Sequence, residues 1–161
     1  MNFCVRCILH WKGKNKMEIR SLGQVLEESG EVVIRTSGTS MEPLLHENES
    51  TVLVRKRTAP CRKNDVVLFI RPSGQYVLHR VIRPGNNLKV QGDHQPFGEE
   101  IPQECVIGVM AGYHAHPNSP FCSLNSVRYR LYLLLLPLRR GYGMLRARAG
   151  QLYRRWKERR K

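Results

Sequence analysis

The sequence lacks any run of about 18 consecutive apolar residues, which is the length that a membrane-spanning helix requires. It also lacks an N-terminal apolar core followed by a small-residue cleavage site, which is the pattern of a secretory signal peptide. We therefore expect a protein that is cytoplasmic or peripheral at a membrane, with no secretion signal and no full N-terminal transmembrane anchor.

Cysteines are few and irregularly spaced. The five are Cys4, Cys7, Cys61, Cys105 and Cys122. An odd, scattered set is not a disulfide framework and favours a reducing compartment. Cys4 and Cys7 have CxxC spacing and His10 follows, but there is no second ligand pair for a four-ligand zinc site. We expect a disordered tail over residues 1–16, no metal site and no cofactor.

Acidic residues are scarce at the C-terminal end of the chain. The net charge is +14, and +11 of it falls within residues 128–161, where twelve Lys/Arg accompany one acid, Glu158. Such a segment can bind anionic lipid, nucleic acid or an acidic partner. Nucleic acid is not expected, because the segment carries no element that would read bases.

The same segment has a helical pattern of apolar residues. An apolar run, Tyr132–Leu136, is followed by Pro137, which is expected to interrupt it. Beyond it, one helix face would carry Leu138, Tyr142, Leu145, Ala149, Leu152 and Trp156. We expect residues 127–161 to form a basic amphipathic helical tail that lies on an anionic membrane surface. The alternative is a helix that packs on the body or binds a partner.

Between the two ends, the chain has the sequence pattern of a β-protein. A short helix is predicted over residues 17–29, because Leu22, Val25 and Leu26 share a face and Gly30 follows. Short β-branched runs separated by turns predict six strands. They cover residues 31–36, 51–57, 65–71, 76–83, 88–91 and 105–113. The expected class is mainly β, with a β-domain over 17–113 and a linker over 114–126 before the helical tail.

One polar stretch in this domain has the features of a nucleophile turn. A serine hydroxyl attacks a carbonyl only when a base takes its proton and the backbone presents it to a cleft. Gly38 gives the chain conformational freedom two residues before Ser40, and Pro43 stiffens the exit. Met41 would dock on the core or line the cleft. The backbone N–H of Ser40 would serve as an oxyanion donor.

The full string from Ser37 to Leu45, SGTSMEPLL, resembles the Gly-x-Ser-Met-x-Pro-Thr-Leu box of type I signal peptidases and their relatives. Leu44 stands where that box often has Thr. The resemblance implies a β-core like that of signal peptidases and repressor proteases. It also implies Ser40 as nucleophile, and substrate contacts by Gly38, Thr39, Met41 and Pro43.

The base implied by the resemblance is a histidine. Gln75–Ile82 resembles the His-Arg-Val strand of the endoplasmic-reticulum and archaeal type of signal peptidase, with His79 at the histidine position. No lysine occurs between Lys63 and Lys89, so the lysine base of the bacterial type has no candidate on this strand. A neutral imidazole can accept the serine proton near pH 7.

Three further stretches resemble the same family in the same order along the chain, so that the resemblance covers about residues 31–113. Asn64–Phe69 is similar to its Gly-Asp-Ile-Val-x-Phe strand, with Asn64 in place of Gly. Val90–Gln95 is similar to its Lys-Gly-Asp-Asn-Asn stretch, and Cys105–Val109 to its closing Val-Val-Gly strand.

A carboxylate would hold the tautomer of His79 and stabilise its imidazolium. The resemblance offers Asp93, which follows Gly92, and an acid six residues later, which here is Glu99 with Glu100 beside it. Asp93 matches the family pattern more closely. Which of Asp93 and Glu99 orients His79 stays open at this point, as does the reading of Glu99 and Glu100 as solvated charges.

The resulting expectation is a serine endopeptidase that cleaves a leader or propeptide and needs a peptide or protein substrate. One alternative is a catalytically silent peptide-binding module with the same fold. Another is a self-cleaving repressor-like protease, which the sequence disfavours because only about thirty residues precede the box and the base is not lysine.

Overall fold

The computed structural model describes residues 21–141, which form an antiparallel sheet of eight strands with a helix at each end. The predicted mainly-β class is confirmed. The elements are α1 (Leu22–Ser29), β1 (Glu31–Arg35), β2 (Thr51–Lys56), β3 (Val66–Ile70), β4 (Tyr76–Arg83), β5 (Asn87–Gln91), β6 (Glu99–Pro102), β7 (Val106–His114), β8 (Cys122–Ser123) and α2 (127–141).

Helix α1 has a defined start and stop. Ser21 and Gln24 form a reciprocal capping box, in which each side chain accepts from the backbone N–H of the other. Gly30 ends the helix in the left-handed conformation, at φ 76°. Leu22 and Leu26 are buried against the sheet, as their spacing predicts.

The strands lie in the order β1-β2-β7-β3-β4-β5-β6, and β8 pairs with β7. Strand β3 is buried on both faces and separates two hydrophobic clusters. Val66 and Leu68 belong to the cluster that also holds α1, whereas Val67 and Phe69 belong to the cluster around β4, β5 and β6. The ring of His79 lies beside the second cluster, with its centroid 5.9 Å from that of Phe69.

All six predicted strands match the observed ones to within one residue at each end, and β4 matches at both. The last of them, predicted from Cys105, begins at Val106 after a turn of 3₁₀ helix, Gln103–Cys105. Two strands were missed. Strand β6 begins with two glutamates, which have low strand propensity, and β8 is only two residues long and lies within the predicted linker.

Helix α2 packs on the body through one face. Ser126 caps its start by accepting from the backbone N–H of Tyr129 at 3.2 Å. Tyr129 and Leu136 are buried. The helix continues past Pro137 to residue 141, so the predicted interruption is wrong. Leu136 before the proline and Arg140 after it, whose guanidinium reaches Asp93, hold both sides in place.

Among the described residues, no helix combines the length and the apolarity that crossing a membrane requires. The predicted N-terminal tail, with Cys4 and Cys7, and the part of the predicted helical tail beyond residue 141 lie outside the described residues.

Candidate functional site

The predicted nucleophile lies in a turn between β1 and β2. Gly38 has φ 91°, which a residue with a side chain rarely adopts, and its N–H donates to Glu47 at 3.1 Å. Ser40 follows with 8 % of its surface exposed. Within residues 21–141, neither the hydroxyl nor the backbone N–H of Ser40 makes a hydrogen bond. Within the described residues, both groups are therefore left without a polar contact.

The other residues of the box have different surroundings. The side chain of Met41 is buried in the cluster that holds α1, which favours docking on the core over lining a cleft. Thr39 is exposed, Gly38 and Pro43 are half-buried, and the Glu42–Pro43 peptide bond is cis. Thr39, Gly38 and Pro43 thus remain accessible to a substrate.

The turn after β5 holds Ser40 in place. The backbone N–H of His94 donates to the Ser40 carbonyl at 2.9 Å. A Cβ at Gly92 would lie 2.6 Å from that carbonyl oxygen and 3.0 Å from the Ser40 Cβ. Glycine at position 92 is therefore what lets the nucleophile turn sit directly on the end of β5.

The strand register carries His79 towards this turn. In the β4–β5 pair, Arg80 lies opposite Gln91, the last residue of β5, so that His79 is the residue before this pair on β4 and Gly92 the residue after it on the other chain segment. Opposed residues of an antiparallel pair point to the same face, with Cβ atoms about 5 Å apart. Continued by one residue, this pairing would set His79 on the face of Gly92 that Ser40 contacts, but within residues 21–141 no hydrogen bond joins Ser40 to His79.

Glu99 stands beside the predicted base. Its position opposite Val90 puts it on the same face as His79, and its Oε1 lies 3.1 Å from the His79 Nδ1. The approach is close enough for a hydrogen bond but is poorly directed for one, and both ring nitrogens of His79 lack a hydrogen-bond partner within residues 21–141. Arg71 holds the carboxylate with two hydrogen bonds, of 2.5 and 3.1 Å.

Burial lowers the pKa of His79 to about 4, because the 1 % exposed ring loses the water that would solvate its charged form. Glu99 acts in the opposite direction, and Arg71 adds to the lowering. The imidazole is consequently neutral at pH 7, which is the form that can take a proton from serine.

This depressed pKa predicts a pH dependence of stability. Below an ordinary pKa of 6.5, the unfolded chain protonates His79, whereas the folded chain resists protonation down to about pH 4. The free energy of unfolding should therefore fall by up to about 3 kcal/mol as the pH drops through that window. Urea unfolding at pH 7 and pH 4.5 measures it. His79→Gln should show a shallower decline, and identical declines would contradict the prediction.

Asp93, the closer match to the family pattern, is engaged elsewhere. Its carboxylate takes two hydrogen bonds from Arg80, of 2.8 and 2.6 Å, and both side chains are fully buried. Tyr132 and Arg140 on α2 donate to it at 2.8 and 2.9 Å. Burial acts to lower the pKa of Arg80, but its bonds to Asp93 outweigh this and raise it. Asp93 thus fixes the turn and α2, and Glu99 is the acid whose carboxylate lies beside the His79 ring.

Replacing Gly92 by alanine should test the contact with the nucleophile turn. The added Cβ would displace the Ser40 backbone, and a misplacement of about 1 Å lowers catalysis by roughly 10²-fold. Peptide cleavage is the measurement. Gly23→Ala in α1 is the matched control, because its nearest contact would be at an ordinary 3.9 Å. Equal activity of the two variants would count against the arrangement.

The sequence reasoning missed a shallow cavity next to Glu99. It has a volume of about 370 Å³ and is lined by Arg71, Glu99 and the loop 95–98. Phe97 stands at its edge with 72 % of its surface exposed. The available signal in the sequence was Phe97, an aromatic residue between Pro96 and Gly98, two residues before the predicted catalytic acid. Arg71 gave no signal in the sequence, because its partner Glu99 lies on β6, a strand that was not predicted.

No group of histidine, cysteine or acidic residues with the geometry of a metal site occurs within residues 21–141. Asn64, which replaces a glycine of the family pattern, has φ 76°. Asparagine is among the few residues that tolerate this left-handed conformation.

No protein-family model matches the chain, and neither the curated proteins nor the solved structures include one with significant similarity to it.

Proposed function

We propose that this protein is a serine endopeptidase of the signal-peptidase type, which cleaves a leader or propeptide through Ser40 and His79. The observation that carries the proposal is the packing of the Ser40 turn on Gly92, at the end of the strand that pairs with the His79 strand. The buried, neutral imidazole and the carboxylate of Glu99 at its Nδ1 add the electrostatics that such a pair needs.

In the proposed reaction, the Ser40 oxygen attacks the substrate carbonyl while His79 takes the hydroxyl proton. The backbone N–H of Ser40 stabilises the resulting oxyanion. His79 then gives the proton to the leaving amine as the peptide C–N bond breaks, leaving an acyl ester on Ser40. Water, activated by the same histidine, hydrolyses the ester. Glu99 stabilises the imidazolium between these steps, while Arg71 keeps the carboxylate in place.

A degenerate peptide library tests this function without knowledge of the substrate. The purified chain should release products whose new carboxyl ends share a small residue, as the resemblance to signal peptidases implies. Liquid chromatography with mass spectrometry identifies the products. A library that stays intact after prolonged incubation would contradict the proposal.

The second candidate is a peptide-binding module without turnover. It is favoured by the poorly directed approach of Glu99 to His79 and by the exposed ring of Phe97 at the cavity. In that case, library peptides would be retained by the immobilised protein but not cleaved. Phe97→Ala would weaken their retention, whereas Ser40→Ala would not.

A further inference from the structure

The outer face of α2 is apolar and exposed. Leu131, Leu134 and Leu138 follow one another at spacings of three and four residues, which places them on one side of the helix. Their exposed fractions are 55, 72 and 73 %. Val127 and Leu135 extend the same side. We call these five residues the leucine face.

The leucine face is directed away from the body. Tyr129, Tyr132 and Leu133 lie on the opposite side of α2 and pack against the hydrophobic core, and Leu136 on that side is buried. Arg140, also on that side, binds Asp93. The inner side thus accounts for the attachment of α2 to the sheet, and within residues 21–141 the leucine face has no such packing.

Cationic side chains border the leucine face on both sides. Arg128 and Arg139 flank it on one side and Arg130 on the other, by their helical positions. All three are exposed, and none forms an ion pair within residues 21–141. Helix α2 contains no acidic residue over residues 127–141.

We propose that the leucine face of α2 docks in the plane of an anionic lipid bilayer, with the leucines at the acyl boundary and the three arginines at the headgroup phosphates. An apolar stripe between two cationic borders fits that boundary, which is apolar below and negatively charged above. Arginine also suits phosphate, because its planar fork donates two hydrogen bonds at once. The proposal does not depend on the proposed peptidase activity.

Co-sedimentation of the full chain with vesicles tests the docking. Vesicles of phosphatidylcholine and phosphatidylserine at 3:1 should bind the chain, raised salt should release it, and pure phosphatidylcholine should bind it much less. The double variant Leu134→Gln/Leu138→Gln should bind the 3:1 vesicles at least about tenfold more weakly. Val33→Gln is the matched control, since Val33 is 52 % exposed on β1 and should leave binding unchanged.

A second pair of variants measures what the arginines of α2 contribute to vesicle binding. Arg128→Gln/Arg139→Gln should weaken binding to the 3:1 vesicles by about tenfold or more. Arg62→Gln, which removes an exposed charge outside α2, should have a much smaller effect. Circular dichroism establishes that the variants keep the fold.

Two results would overturn the proposal. If the double leucine variant binds like the unmodified chain, the basic residues beyond 141 suffice and the leucine face is not the docking surface. If the lipid-free chain is a dimer by sedimentation velocity and the double leucine variant is a monomer, a second copy occupies the face instead of lipid.

Discussion

Replacing Ser40 by alanine is expected to reduce peptide cleavage by at least about 10⁴-fold, because loss of the nucleophile removes the covalent route altogether. The fold should be unaffected, since the hydroxyl makes no hydrogen bond within residues 21–141. Initial rates on a cleaved library peptide and urea unfolding curves measure the two effects.

Ser37→Ala is the matched control for this variant. Ser37 belongs to the same turn and is half-buried, but it lies three residues before the proposed nucleophile. Its removal should change the rate by only a small factor. Retained cleavage in Ser40→Ala, or an equal loss in both variants, would show that the turn is structural and that another group performs the chemistry.

Replacing Asp93 by asparagine should have the largest effect on stability. The substitution leaves the guanidinium of Arg80 fully buried without its counter-charge. Removing one partner of a buried ion pair lowers the free energy of unfolding by about 3–5 kcal/mol. The attachment of α2 to the sheet should weaken as well, because Tyr132 and Arg140 also bind this carboxylate. Urea unfolding followed by circular dichroism measures both.

Glu100→Gln is the control for Asp93→Asn. Glu100 pairs with Arg83 on the surface, where an ion pair contributes about 1 kcal/mol or less. The comparison also separates the two possible roles of Asp93. If Asp93 oriented His79, its replacement would abolish cleavage and leave the unfolding curve nearly unchanged. We expect the reverse order of effects, with destabilisation as the primary change.

Local patterns were enough to predict much of the fold. The bounds of β4 follow from a run of mostly strand-forming residues between two turns. The end of α1 follows from its apolar spacing and its final glycine, whereas its start, at Leu22 after the Ser21 cap, is later than the predicted residue 17. These features depend on neighbours in the chain. Strand β6 depends instead on pairing with β5, and its first two residues, Glu99 and Glu100, resemble a solvated loop in sequence.

The same distinction holds for the site. The nucleophile box and the histidine strand could be recognised because each is a contiguous motif. The choice between Asp93 and Glu99 could not be made, because it depends on which side of the sheet each residue faces. Asp93 meets Arg80 only after β4 and β5 are paired, and Glu99 meets His79 only after β6 also pairs with β5.

The central claim, that His79 activates Ser40, is tested most directly by a fluorophosphonate probe. The Ser40 oxygen would displace fluoride from phosphorus, with His79 taking the hydroxyl proton, and tandem mass spectrometry would locate the adduct. We predict labelling of the unmodified chain at Ser40, and loss of that labelling in a folded His79→Asn variant. Labelling at Ser40 that is equally fast in His79→Asn, or no labelling of a chain that cleaves peptides, would contradict the account.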